Sequence, residues 1–310
     1  MNKKQTMLKF SVAAAWERRQ RKAGTAPHAL FTDIDDTFLH RGGDQKALRA
    51  AHTVRDRTRQ TETPLVFVTG LRGDEVLQRI DARKLPAPEI IVGSVGTEIL
   101  LRLSNNAWQP DDAYGEFLQA KNYDAGVVRR AVERFRAQAE FALYDLQFNQ
   151  NGFGPYKISL HFLGDDAVAQ YVRTEAQTAF PDYKIVVCKE IHYNASLPPG
   201  DVRLKYCLDI VPATKADAIA YLIDALGIKA GFKAGDSGND TEMLLQPDPL
   251  LPILVGGYKS EALDAIAPYV IGDGDDSFFT LRDGRPIFIE TGDRLAAQSI
   301  VYAMDHYNSK

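Results

Sequence analysis

The chain predicts an α/β fold, a Rossmann-like parallel sheet with an α+β domain inserted into it. Three observations carry this expectation. Short apolar runs alternate with longer amphipathic ones from Ala29 to about residue 104, and the same alternation resumes after about residue 206. The stretch between has another texture, in which two helix-like segments are set among strand-like ones. Alternating strands and helices build parallel sheets with crossover helices, whereas a change of pattern inside one chain marks an inserted domain.

In chain order, the runs ALFTDI (29–34), PLVFVT (64–69) and EIIVGS (89–94) read as strands, with helices near 44–59 and 73–83 between them. In the insert, VVRRAVERFRAQ and AVAQYVRTEAQTAF read as helices, and FALYDLQF, YKISLHFL and YKIVVCKEI read as strands. GDVRLKY, after the turn Pro198-Pro199-Gly200, reads as the linker that returns to the first fold. There follow a helix at 214–226, a strand at 231–236, a helix at 239–245, a strand at 252–257 and a last helix near 293–307. The expected division is a basic N-terminal extension at 1–28, a core of 29–104 with 206–310, and an inserted cap at 105–205.

Composition narrows the partners. With 310 residues and 45% apolar content the chain can bury a large core, and a net charge of −4 offers no general attraction to nucleic acid or anionic membrane. A small-molecule partner is expected, bound by a monomer or homodimer. Lys3, Lys4 and Lys9 precede the apolar segment FSVAAAW, but that segment is short and runs directly into ERRQRK without a small-residue cleavage site. It is therefore read as neither a signal nor an anchor, which implies a cytoplasmic protein. Cys188 and Cys207 lie within apolar strand-like runs and are expected to be buried free thiols.

The chemistry concentrates at predicted strand ends. In extended backbone, side chains two apart share a face, so Asp33 and Asp35 can project into one site where ligands of open parallel sheets bind. Thr69 follows the second strand, Asp236 follows the strand GFKAG and opens the acidic loop ending in Asp240, and Lys215 leads the helix before that strand. Any one of these residues alone is as well explained as a helix cap, a turn former or a solvated lysine. Together, in this order, they form the set that phosphoryl transfer needs, with carboxylates for a metal and a nucleophile and a cation for the phosphate.

These motifs, Asp33-Ile34-Asp35-Asp36-Thr37, Thr69, Lys215 and Gly235-Asp236-Ser237-Gly238-Asn239-Asp240, resemble those of the haloacid dehalogenase (HAD) superfamily. SVGTEI (94–99), the long insert, LDIVPATKADAI (208–219) and VGGYKSEA (255–262) are similar to its sucrose-phosphatase-like group, subclass IIB, which carries an α+β cap of the C2B type at this point. The chain reads Thr69-Gly70-Leu71-Arg72 where family members often have Thr-Gly-Arg, so Arg72 is not assigned a substrate role.

The resemblance implies a Mg2+-dependent phosphatase acting on a sugar phosphate, with a sucrose-phosphate-like disaccharide phosphate as the narrower expectation. It implies Asp33 as the nucleophile that forms an aspartyl-phosphate and Asp35 as the acid and base. The metal would be held by Asp33, Asp236 and the backbone carbonyl of Asp35, with Asp240 assisting, and the phosphate by Thr69, Gly70, Lys215 and Asn239. In the cap, Lys157 lies in the segment Asn151 to Ser159, which is similar to a segment that faces the sugar in that group; it is the candidate specificity residue. Tyr144, Tyr156 and His161 are expected to pack the cap. Two alternatives stand beside the phosphatase: a phosphomannomutase-like phosphomutase, and a non-catalytic phosphosugar-binding module.

Overall fold

Strand β1 (His28–Thr32) lies inside a sheet of ten strands. The computed structural model describes residues 28–40, 45–83, 85–141, 143–149, 153–190, 204–275 and 277–307. Residues 1–27 of the expected basic extension and the Pro198-Pro199-Gly200 turn lie outside these residues, as does most of GDVRLKY, whereas His28, the extension's last residue, already opens β1.

After β1 come helix α1 (Gln45–Gln60), strand β2 (Leu65–Val68), helix α2 (Gly73–Arg83) and strand β3 (Ile90–Gly93), followed by strands β4 (Glu98–Arg102) and β5 (Trp108–Pro110). Helix α3 (Asp112–Gln119) leads into the insert, which contains helix α4 (Ala125–Arg136), strands β6 (Gln147–Phe148) and β7 (Ile158–Gly164), helix α5 (Asp166–Ala179), and strands β8 (Lys184–Glu190) and β9 (Leu204–Val211). The chain then forms helix α6 (Lys215–Leu226), strand β10 (Ala230–Gly235), helix α7 (Thr241–Leu245) and strand β11 (Leu251–Leu254). Helix α8 (Ser260–Ile266), strands β12 (Val270–Asp275), β13 (Phe278–Leu281) and β14 (Pro286–Ile289), and helix α9 (Ala297–Tyr307) complete it.

The large sheet runs β12-β13-β14-β11-β10-β1-β2-β3-β4-β5. From β14 to β3 every pair is parallel, and both edges are extended by antiparallel strands. β2, β3 and β11 are buried along their whole length, as strands covered on both faces must be. Leu30, Phe67, Ile91 and Ile253 meet Val54 and Ile300 of the helices in one apolar cluster.

Among the described residues, those up to Gly115 and from Lys215 onward form one compact unit, and those within Glu116–Thr214 form another. The second has its own four-stranded sheet, β6-β7-β9-β8, antiparallel throughout. Its helices are capped by Asp124 and Asp165, whose carboxylates accept from the amides of Val127 and Val168. Ile158, Leu160, Phe162, Leu208 and Ile210 pack with Val132 and Val172 of those helices, and Tyr144 and Tyr156 border the same cluster. Lys157, Ser159, His161, Cys207 and Asp209 alternate with these apolar residues and so occupy the opposite face of the sheet.

Several expectations need correction. Among its described residues FALYDLQF is not one strand: only Gln147–Phe148 pairs, Ala139–Phe141 forms a 3-10 turn, and Asp145 adopts a left-handed φ of 49° that interrupts any extended run. The end of GDVRLKY is no linker either, because Leu204 to Tyr206 open β9, which pairs along its length with β7 and β8. Cys207 is buried, but Cys188 is only half-buried, since β8 is an edge strand. The last helix begins at Ala297 rather than near 293, with Ala296 at a positive φ of 49° before it. Among the described residues, no helix is long and apolar enough to cross a membrane.

Candidate active site

Because β1 pairs in parallel with both β2 and β10, the carboxyl ends of the three strands lie side by side. Asp33, Thr69 and Asp236 each stand one residue beyond those ends. The chain after β1 turns sharply: Asp36 has a φ of 61°, the Phe38 and Leu39 amides donate to the Ile34 carbonyl, and Phe38 packs edge-on against Phe67. The turn brings Thr37 Oγ1 to 2.5 Å from Asp236 Oδ1, to which it donates.

A buried ionic cluster forms around these strand ends. Lys215, the first residue of α6, places Nζ 2.7 Å from Asp240 Oδ1 and 3.2 Å from Asp33 Oδ1. The contact with Asp240 is an aligned hydrogen bond; that with Asp33 is an ion pair without such alignment. Burial works to lower the Lys215 pKa, but Asp240 and Asp33 outweigh it and hold the ammonium firmly charged. Burial raises the Asp33 carboxyl to about 6, opposed mainly by Lys215 and reinforced by Asp240. Asp236 is also pushed well up, first by burial and then by Asp240 and Asp33.

The acidic loop after β10 is built around Asp240. Its Oδ2 accepts from the amides of Asp236 and Ser237 and from Ser237 Oγ, whose one proton is shared with Asn239 Oδ1 at 2.6 Å. Gly235 is required here, since a Cβ at that position would lie 2.4 Å from Asp240 Cβ.

One carboxylate oxygen from each of Asp33, Asp236 and Asp240 can be chosen so that all three lie within 4.8 Å of one another. Asp33 Oδ1, ion-paired with Lys215, and Asp236 Oδ2 are buried and accept no aligned hydrogen bond from the described residues. Three buried carboxylates facing Lys215, with Lys259 no nearer than 4.0 Å to Asp236, leave negative charge uncompensated, and buried charges are normally paired or bound to metal. The site therefore fits a hard divalent cation that prefers oxygen ligands. Asp240 has both oxygens engaged, so Asp33 and Asp236 are the two better placed to bind it directly.

The remaining predicted residues take distinct positions. Asp35 accepts from Arg79 Nη1 on α2 at 2.8 and 2.6 Å. Thr69 Oγ1 accepts from the Leu71 amide at 3.3 Å, which closes the turn through Gly70. Arg72 is turned to Asp74 at the exposed start of α2. Lys157 is buried in the second unit with Nζ 3.4 Å from Asp209 Oδ2, and Ser159 donates to Oδ1 of the same carboxylate.

Three features are missing from the sequence reading. Arg79 grips Asp35 from the middle of a helix, 44 positions along the chain. Lys259 approaches Asp236 Oδ2 at 4.0 Å, and its amide donates to the Asp236 carbonyl. Ser94, Val95 and Gly96 are all left-handed, with φ of 52°, 64° and 104°, and the Val95 amide donates to the Thr69 carbonyl. For a β-branched residue such as Val95 this conformation is strained, and strain of this kind clusters at functional sites. Lys259 and the Ser94–Gly96 turn had a local signal, their place at or just beyond a predicted strand; Arg79 had none.

A ten-stranded sheet with this parallel centre, an inserted α+β unit and acidic residues at the ends of β1 and β10 defines a HAD-type fold. Residues 26–268 match the sequence model described as sucrose-6F-phosphate phosphohydrolase, and the chain belongs to that family. It is 28% identical over 253 residues to probable sucrose-phosphatase 2 of Arabidopsis thaliana, covering 77% of this chain and 53% of that protein. It is 26% identical over 290 residues to sucrose-phosphatase 1 of Nicotiana tabacum, covering 90% and 59%. The chain thus spans little more than half the length of these curated relatives. In structure it resembles the sucrose-phosphatase of Synechocystis sp. PCC6803, solved with sucrose and phosphate, at a TM-score of 0.66 and 19% identity over 92% of this chain and 99% of that one. A haloacid dehalogenase-like hydrolase of Bacillus subtilis gives a TM-score of 0.53 at 16% identity, covering 91% and 94%.

Proposed function

We propose that the protein is a Mg2+-dependent phosphatase that hydrolyses a sugar phosphate, with a sucrose-phosphate-like disaccharide phosphate as its natural substrate class. The observation that carries this reading is the buried cluster of Asp33, Asp236, Asp240 and Lys215 at the strand ends, with two carboxylate oxygens that accept no aligned hydrogen bond from the described residues. The family match, the names of the curated relatives and the sucrose and phosphate held by the Synechocystis protein support the substrate class.

Asp33 attacks phosphorus and breaks the ester bond, forming an aspartyl-phosphate. Asp35 protonates the leaving sugar oxygen, then takes a proton from the water that attacks the phosphoryl group. Arg79 fixes the Asp35 carboxyl for both transfers. Lys215 offsets the charge of the phosphate and of Asp33, and Thr69, Gly70 and Asn239 orient the phosphate oxygens. Asp33, Asp236 and the carbonyl of Asp35, assisted by Asp240, would hold Mg2+, which would supply neutralisation of the charge of the carboxylates and the phosphate dianion. Lys157, together with Asp209 and Ser159, reads the sugar.

The test is phosphate release from a panel of phosphorylated mono- and disaccharides, with Mg2+ and with chelator. Release that depends on Mg2+ and is fastest for a disaccharide phosphate supports the proposal. An isomeric sugar phosphate formed without free phosphate supports the mutase instead, and binding without turnover supports the non-catalytic module.

A further inference from the structure

We propose that Cys188 and Cys207 form a reversible dithiol–disulfide couple that staples the edge strand β8 to β9. The two cysteines are register partners on adjacent antiparallel strands. Directly opposed residues in such a pair have Cα atoms about 4.5–5.5 Å apart, within the span of about 4.4–6.8 Å that a disulfide bridges. Directly opposed side chains also share a face, so the two thiols project to the same side. Both cysteines are free.

Their surroundings divide the roles. Cys188 is half-buried on the edge strand and is the more exposed of the two residues. Cys207 is buried, and its thiol pKa is pushed up by the neighbouring Cys188, then by burial and by Asp209. It is therefore a poor first nucleophile. The oxidant is a low-molecular-weight disulfide of the glutathione class. The Cys188 thiol gives up its proton and its sulfur attacks one sulfur of that disulfide; the oxidant's S–S bond breaks, and one half departs as a thiol carrying the proton. Cys207 then attacks the Cys188 sulfur of the mixed disulfide. Its proton leaves towards Asp209 Oδ1, which accepts from Cys207 Sγ at 3.6 Å, and ends on the second departing thiol. Two protein thiols are oxidised by two electrons and one disulfide is reduced to two thiols.

The consequence reaches the polar face of the sheet. Oxidation removes the S–H that Cys207 donates to Asp209, the carboxylate that also holds Lys157 and Ser159. The formation of the bond itself does not depend on the proposed phosphatase activity.

The experiment equilibrates the full chain in mixtures of reduced and oxidised glutathione, blocks remaining thiols with an alkylating reagent, and reads intact and peptide masses. The expected result is that both thiols are lost together, that a cross-linked peptide pair contains Cys188 and Cys207, and that dithiothreitol restores both. Cys188→Ser and Cys207→Ser should each yield at most a glutathione adduct. Two alkylatable thiols in the most oxidising mixture, a lasting adduct on Cys188 without ring closure, or a bond found only between chains would each overturn the proposal.

Discussion

Replacing Asp33 by Asn should abolish turnover and at the same time stabilise the metal-free protein at neutral pH. In the folded protein the Asp33 carboxyl holds its proton up to about pH 6, against an ordinary value of 3.8, chiefly because it is buried. Between these two values the native state binds more protons than the unfolded chain, so stability falls as pH rises. Above pH 6 the full cost is present, about 3 kcal/mol at ~1.4 kcal/mol per pKa unit. Asparagine resembles the neutral acid in shape and carries no charge, so it should recover most of that amount. At roughly 2–4 °C per kcal/mol for domains of this size, Tm should rise by several degrees at pH 8, and the difference should shrink as pH falls through 6 towards 4. The assay is thermal unfolding of both forms in chelator across that pH range, with phosphate release measured in parallel. Equal Tm values at pH 8, or an Asn variant that is less stable there than at pH 5 relative to wild type, would refute the argument that charge on Asp33 is held against burial.

Arg79→Gln should lower kcat about 10-fold or more on an alkyl or sugar phosphate, since a hydrogen bond to a charged group contributes ~1.5–3 kcal/mol, and should matter less for an aryl phosphate whose leaving group scarcely needs a proton. Equal losses on both substrates, in steady-state assays, would remove Arg79 from the positioning of Asp35. Gly235→Ala should cost about 1–3 kcal/mol in denaturant unfolding and weaken Mg2+ binding by calorimetry, because the added methyl would displace Asp240; wild-type values for both would contradict the close packing. Lys157→Ala should reduce kcat/KM for the disaccharide phosphate far more than for an aryl phosphate, and equal losses would exclude Lys157 from sugar recognition.

The centre of the sheet was legible because β2, β3 and β11 are continuous apolar runs, the mark of strands covered on both faces. Its edges were not. β5 is three residues of Trp-Gln-Pro, and β12 ends in Gly-Asp-Gly-Asp, compositions that read as loop and become strands only through their neighbours. FALYDLQF misled because its apolar residues feed the cap core from a turn: Phe141 and Leu146 are buried without being extended. Asp33, Lys215, Asp236 and Asp240 could be named because strand ends in a parallel sheet converge, so one-dimensional position carries three-dimensional information. Arg79 gave no such signal. It lies mid-helix, where an arginine is usually solvated, and only the packing of α2 beside the turn after β1 brings it to Asp35.

The most direct measurement is to find where phosphate is held during turnover. The protein is mixed with a fast aryl phosphate and Mg2+, quenched in acid within milliseconds and treated with borohydride, which reduces an acyl phosphate to an alcohol, and the peptides are then weighed. The predicted result is homoserine at position 33, more abundant when Asp35 is replaced by Asn because hydrolysis of the intermediate is slowed. Steady turnover with Asp33 unmodified and no other phosphorylated residue would contradict covalent catalysis by Asp33.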